Sequence, residues 1–105
     1  LLKTLPPHKL TEIVVNGQQH FHNTEFHTDC PGNDGLTFIY FVNADYQSEW
    51  GGQTEVKFNN NLEVVDFVPG RVAVFKGNCQ HRGCSFSVPT KSLRATVAIK
   101  VNLND

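Results

Sequence analysis

Methionine is absent from these 105 residues, tryptophan occurs once, and no apolar run extends beyond Phe38 to Val42. Five residues fall far short of the roughly 20 that a membrane helix needs, which excludes a membrane span. No Lys/Arg cluster interrupts the balance of nine basic and ten acidic residues, so a nucleic-acid partner has no electrostatic footprint to track phosphates. An Asn-x-Ser/Thr acceptor is also missing, and cysteine stops at three: Cys30, Cys79 and Cys84. An odd number cannot pair completely within the chain, so a reducing compartment is expected, the cytoplasm by default. Leu1 to Leu5 is too short for a signal-peptide core. An opening at Leu1 without Met makes the sequence read as a piece of a longer chain. Apolar content of 39% against 18% charged excludes a disordered tail, and the length suits one domain spanning 1–105 with a modest core.

Helix signals are equally poor. Val, Ile, Thr and Phe dominate the apolar positions, and Gly or Pro interrupts at short intervals, a pattern that suits pleated, half-buried strands. Strands are expected near Glu12–Val15, Glu25–Thr28, Leu36–Val42, Thr54–Phe58, Leu62–Phe67, Arg71–Phe75, Cys84–Val88 and Leu93–Leu103. Turn clusters separate them at 31–35, Gly51-Gly52, Asn59-Asn60-Asn61, Pro69-Gly70 and Gly77-Asn78. Eight short strands at this spacing predict an all-β jelly roll or small barrel with few or no helices. The last strand has two readings. Leu93, Ala95, Val97, Ile99, Val101 and Leu103 share one face, and Arg94, Thr96, Ala98, Lys100 and Asn102 the other. Either the first face is core and the second wet, or Arg94 and Thr96 point into a solvated funnel.

His27-Thr28-Asp29 bears on that choice. In an extended chain, residues i and i+2 project from one face, so an imidazole and a carboxylate can converge on one ion. His81, beyond the Gly77-Asn78 turn, is a candidate third ligand. Two histidines and one carboxylate form the facial arrangement of non-haem Fe(II) oxygenases, with positions left open. Arg94 follows thirteen residues after His81, with Thr96 two further on. A guanidinium and a hydroxyl on one strand face suit the end of a dicarboxylate.

Taken in order, the carrying segments are His27-Thr28-Asp29, Tyr40-Phe41-Val42-Asn43, Trp50-Gly51-Gly52-Gln53-Thr54, Pro69-Gly70-Arg71-Val72-Ala73-Val74-Phe75, His81 and Leu93-Arg94-Ala95-Thr96. With these, the chain resembles the 2-oxoglutarate- and Fe(II)-dependent dioxygenases of the prolyl 4-hydroxylase-like branch, from about Val14 to Val101. The resemblance implies a double-stranded β-helix, a distorted jelly roll with iron at one open end. It implies His27, Asp29 and His81 as metal ligands and Arg94 as the partner of the distal carboxylate of 2-oxoglutarate, with Thr96 assisting. These four, His27, Asp29, His81 and Arg94, would form the catalytic set. The implied cofactors are Fe(II), 2-oxoglutarate and O2, with ascorbate an optional addition. The implied reaction couples oxidative decarboxylation of 2-oxoglutarate to hydroxylation of a peptidyl prolyl or similar residue. Its substrate is a peptide, a protein or a small molecule. Asp29 speaks for hydroxylation, because halogenating relatives lose this carboxylate.

The chain departs from the branch in places. Phe41 stands where many relatives carry a Tyr that donates its hydroxyl to 2-oxoglutarate. Tyr40, one step out of phase, and His20, on a neighbouring strand, are the candidates to supply a side-chain contact instead. Gln53 stands where Glu is common, and the N-terminal helices that usually brace one sheet are reduced or absent. A rival reading takes His20, His22, Glu25 and a later His as a cupin-type metal site, although the spacing is off. Another keeps the jelly roll as a non-catalytic binding module. Cys30 and Cys79 read as packed thiols near the ligands, Trp50 as a turn anchor, and Arg82 as solvent-facing. Substrate choice is expected from the loops around Thr24, 32–35 and 45–50. A homodimer through the apolar face of the last strand is an open option.

Overall fold

A computed structural model describes residues 9–30 and 32–103; Leu1–Leu5 and Pro31 of the expected turn lie outside them. Among the described residues, seven strands form two antiparallel sheets. In the first, β1 (Lys9–Gln18) pairs with β7 (Arg94–Asn102), β7 with β2 (Gly35–Phe41), and β2 with β5 (Val72–Lys76). The second comprises β3 (Thr54–Phe58) between β4 (Asn61–Val65) and β6 (His81–Gly83). Non-consecutive neighbours in the four-stranded sheet make it a jelly roll rather than a meander. One turn of 3-10 helix at Ser48–Trp50 is the helical content among the described residues. The all-β expectation holds.

Two expected strands are corrected. Glu25–Thr28 does not form a strand: only His27 pairs, in a single bridge to His81. Its neighbours go elsewhere, Thr24 N to Gly83 O at 3.2 Å and Asp29 N to Gly77 O at 2.8 Å, so no ladder propagates. Cys84–Val88 is likewise irregular, and its strand lies earlier, at His81–Gly83. Past Gly83 the register with the chain before β3 survives only in fragments: Cys84 N reaches Gln53 O, Phe86 bridges Gly51, and Ser87 N reaches Trp50 O. Ser85 N turns instead to the Asn23 side chain, which breaks the ladder and satisfies that group.

The core gathers at one end. Phe41, Phe67, Ala73 and Phe86 are buried, with Ile39, Tyr46, Trp50 and Val65 packed against them. Trp50 stacks 5.1 Å from the Phe86 ring and edge-on to Tyr46, the turn anchor expected of it. Gly52 is required there: its φ is +83°, and a Cβ would lie 2.7 Å from the Phe86 ring.

Register decides the two readings of the last strand. Arg94, Thr96 and Ala98 are buried between the sheets, and Val97 and Ile99 lie on the outer face, half-buried. That outer face is apolar across the sheet: Val15, Val97, Tyr40 and Val72 form one row, and Ile13, Ile99, Phe38 and Val74 the next. The funnel reading is the one the fold adopts.

Candidate functional site

Pairing of His27 with His81 builds the centre of the site. Each backbone N–H donates to the other's carbonyl, at 3.0 and 2.9 Å, which sets the two side chains abreast. Their ring centroids lie 4.4 Å apart. Asp29 arrives two residues after His27, anchored by its own N–H to Gly77 O. One nitrogen of each imidazole and one Asp29 oxygen all fall within 4.8 Å of one another. His81 Nε2 is 3.3 Å from Asp29 Oδ2, and His27 Nε2 is 3.9 Å from Oδ1.

The backbone orients both imidazoles. His27 Nδ1 lies 2.9 Å from Glu25 O, and His81 Nδ1 2.9 Å from Cys79 O. A carbonyl only accepts, so both Nδ1 atoms carry a hydrogen and each Nε2 is turned toward Asp29; that of His81 donates to Oδ2 in the metal-free chain and would give up its hydrogen to a cation taking its place. Backbone carbonyls orienting imidazoles in this way are the usual support of metal-ligating histidines. Asp29 has 6% of its side chain exposed and His81 4%, whereas His27, at 50%, lines the mouth. Burial alone would raise the Asp29 pKa. Hydrogen bonds from His81 and Thr37 (Thr37 Oγ1 to Oδ2, 2.7 Å) and the charges of His81 and Lys100 outweigh it and hold the carboxyl well below its ordinary range. The group is an anion held among hydrogen-bond donors. Two imidazole lone pairs and a carboxylate fit a divalent ion with positions left open for other ligands.

The same cavity, about 440 Å3, is bounded at its far end by Arg94 and Thr96. Arg94 is 4% exposed, yet its hydrogen bonds go only to neutral oxygens. Nε donates to Gly52 O at 2.8 Å, Nη2 to Thr54 Oγ1 at 2.8 Å, and Nη1 to Gln18 Oε1 at 3.3 Å. Among the described residues no carboxylate pairs with it. Burial pushes its pKa down to about 10. Phe41 and Phe67 approach its guanidinium at 5.9 and 5.7 Å, so one side is walled by aromatic carbon. A buried cation without an anion is costly unless a ligand supplies one. A carboxylate is the matching group.

The structure thus brings together His27, Asp29, His81, Arg94 and Thr96. Two expected cofactor contacts are corrected. Tyr40 lies on the outer face of the sheet, opposite Val72 and Val97, because strand parity sends it away from Phe41 and the cavity. His20 stacks edge-on to Phe21 in the turn after β1 and does not line the cavity. Gln18 occupies that side of the cavity instead, held by donation to the carbonyls of His22 and Gly83. The cupin-type grouping of His20, His22 and Glu25 does not assemble. Cys30, Cys79 and Cys84 are free thiols outside this cavity. Arg82 does alternate away from the histidines, but it pairs with Glu55 at 2.7 Å and lies over the Phe26 ring, where the sequence suggests solvent or a substrate carboxylate and favours solvent. Thr37, Thr54 and Lys100, to which the sequence assigns no role, sit on the cavity side of β2, β3 and β7. The parity that groups Lys100 with Arg94 and Thr96 was the signal available for it.

No protein-family profile and no curated protein matches the chain. Solved structures do. A prolyl 4-hydroxylase from Phytophthora capsici aligns with a TM-score of 0.62 at 19% identity, over 90% of this chain and 35% of that one. A prolyl hydroxylase from Trichoplax adhaerens, solved with a peptide fragment of the hypoxia inducible factor oxygen degradation domain, aligns at 0.58 and 21%, over 89% and 44%. A Pseudomonas putida prolyl-4-hydroxylase gives 0.56 and 16%, over 86% and 48%. The chain spans between about a third and a half of the length of these proteins. At such identities the likeness is one of fold: the two sheets form the double-stranded β-helix found in the prolyl 4-hydroxylases.

Proposed function

We propose that this chain is the core of a 2-oxoglutarate- and Fe(II)-dependent dioxygenase that hydroxylates a residue in a peptide or protein. One observation carries the reading. A single cavity holds a two-histidine, one-carboxylate cluster and, apart from it, a buried arginine with no anion of its own. The first set suits a divalent cation, and the second suits one end of a dicarboxylate that also reaches the cation. The fold likeness to prolyl 4-hydroxylases, one of them solved with a peptide, supports a peptide as second substrate.

His27 Nε2, His81 Nε2 and an Asp29 oxygen would hold the iron. When bound, iron supplies the O2 chemistry by which 2-oxoglutarate, O2 and a C–H group give succinate, CO2 and an alcohol. The remaining work belongs to the chain. Arg94 fixes the distal carboxylate by charge-assisted bonds, which sets the direction in which the cosubstrate lies. Phe41 and Phe67 keep water from the far side of the guanidinium. Thr37 fixes the Asp29 carboxylate through its hydroxyl. His27, exposed at the mouth, marks the side from which a peptide would approach.

The test is succinate formation from 2-oxoglutarate with Fe(II) and O2, with and without a proline-containing peptide. Turnover in the wild type that is lost in Asp29→Ala and His81→Ala, with the fold retained by circular dichroism, is the expected result. Metal and 2-oxoglutarate binding without succinate would favour a non-catalytic binding module. Full wild-type turnover in both variants would overturn the ligand assignment.

A further inference from the structure

One row of residues crosses three strands beneath the candidate metal ligands. On the cavity side, Glu12 of β1 lies opposite Lys100 of β7, and Lys100 lies opposite Thr37 of β2. Two of the three reach Asp29. Thr37 donates to Oδ2 at 2.7 Å, and Lys100 Nζ is 3.3 Å from Oδ1. Lys100 has a second anion within reach, Glu12 Oε1 at 2.8 Å.

The register of β1 makes this row. Glu12 to Gln18 pair without a break against Lys100 to Arg94, which sets the Glu12 carboxylate across from the ammonium beside Asp29. The ladder breaks just past this row: between Leu10 and Glu12 one extra residue, Thr11, bulges out, and its Oγ1 donates to Lys100 O at 2.8 Å.

Building on the metal-site reading above, we infer that Lys100 is a positioning residue that sets the affinity of the His27–Asp29–His81 cluster for its divalent cation. In the metal-free chain the ammonium neutralises the buried Asp29 carboxylate and so holds the cluster together. A divalent ion must share that carboxylate with a like charge a few ångströms away, which weakens its binding. Glu12 provides the seat to which the ammonium retreats, so it moderates the competition. Lys100 therefore stabilises the empty site and tunes the loaded one down, with Glu12 opposing it. A lysine that merely braced Asp29 in its rotamer would do the reverse, because its loss would then loosen the metal.

The experiment is a calorimetric titration of Mn2+ into wild type, Lys100→Met, Lys100→Arg, Glu12→Gln and, as site control, His81→Ala. Thermal melts with and without saturating Mn2+ accompany it. Lys100→Met should bind Mn2+ about tenfold more tightly, be less stable without metal, and show a larger metal-induced rise in Tm. Lys100→Arg, which keeps the charge, should stay near wild type. Glu12→Gln should bind several-fold more weakly, and this arm decides the matter if Lys100→Met fails to fold. Unchanged or weaker Mn2+ binding in Lys100→Met, or unchanged binding in Glu12→Gln, would overturn the inference while leaving the metal site intact. Failure of wild type to bind Mn2+, or binding equal to wild type in His81→Ala, would instead overturn the metal-site reading itself.

Discussion

Replacing Arg94 with methionine should separate stability from ligand response. Burial lowers the guanidinium pKa from its ordinary value to about 10. At about 1.4 kcal/mol per pH unit, that fall corresponds to roughly 3 kcal/mol spent on keeping the charge in its pocket. Methionine, of similar reach and no charge, removes this cost. It also strands the acceptors that Arg94 now satisfies, Gly52 O, Thr54 Oγ1 and Gln18 Oε1. At about 1 kcal/mol for each lost hydrogen bond, the loss is again roughly 3 kcal/mol. The two nearly cancel, so Arg94→Met should unfold in urea within about 1 kcal/mol of wild type. The dicarboxylate response should vanish. Ligand at a hundred times its Kd stabilises the folded state by about 2.7 kcal/mol. For a domain near 100 residues this raises Tm by roughly 10–20 °C, which 2-oxoglutarate with Mn2+ should produce in wild type and not in the variant. Destabilisation by more than about 3 kcal/mol, with the thermal shift retained, would show that Arg94 is a structural cross-link and that another cation holds the carboxylate.

The sign of the pH dependence follows from the same group. Its folded pKa lies below the unfolded value, so between about 10 and the ordinary arginine range the folded chain binds fewer protons than the unfolded one. Stability relative to the unfolded state therefore rises with pH across that window, as the cost of the buried charge is relieved. Dicarboxylate affinity runs the other way. It should be level below pH 10 and fall above it, and a flat profile through pH 11 would exclude Arg94 as its seat.

Three further outcomes are expected. Thr37→Val removes the hydroxyl that fixes Asp29 Oδ2, and metal affinity by Mn2+ titration should fall between about tenfold and a hundredfold, as for other groups that orient a ligand. Gly52→Ala places a Cβ 2.7 Å from the buried Phe86 ring at a φ of +83°, and should cost at least 2 kcal/mol in denaturant unfolding. Gly83→Ala places its Cβ 2.7 Å from Arg94 Nη1, the end of a side chain that can yield; 2-oxoglutarate affinity should drop about tenfold, or about 1.4 kcal/mol, with much less loss of stability than Gly52→Ala. Equal stability losses in the two glycine variants would contradict this division between core and site.

Legibility in the sequence followed how local each feature is. The juxtaposition of His27 and Asp29 could be read because an extended backbone projects i and i+2 together, and that held even though 25–28 forms a single bridge rather than a strand. Strands β1, β2, β3, β4, β5 and β7 were visible as β-branched runs between turn residues. β6 was not, since His81-Arg82-Gly83 follows Gly77-Asn78 and ends in glycine, and its pairing is imposed by Thr54–Val56 of β3. The face of β7 stayed ambiguous because alternation is symmetric until something covers one side. The roles of Thr37, Gln18 and Lys100 escaped for a related reason, even though the face of Lys100 was legible. Each is an ordinary polar residue in its own strand and becomes part of the site only through its register with another. The row Glu12–Lys100–Thr37 depends on the pairing of Glu12–Gln18 with Lys100–Arg94, which no periodicity in Lys9–Gln18 announces. Thr11 is the one extra residue between that ladder and the pairs of Lys9 and Leu10, so deleting it should regularise the register and leave Glu12 opposite Lys100. Mn2+ affinity should then stay near the wild-type value, with a small loss of stability from the missing Thr11 bond to Lys100 O. A deletion that weakened Mn2+ binding as Glu12→Gln does would mean that the pairs of Lys9 and Leu10, and not the longer ladder, hold Glu12 in place.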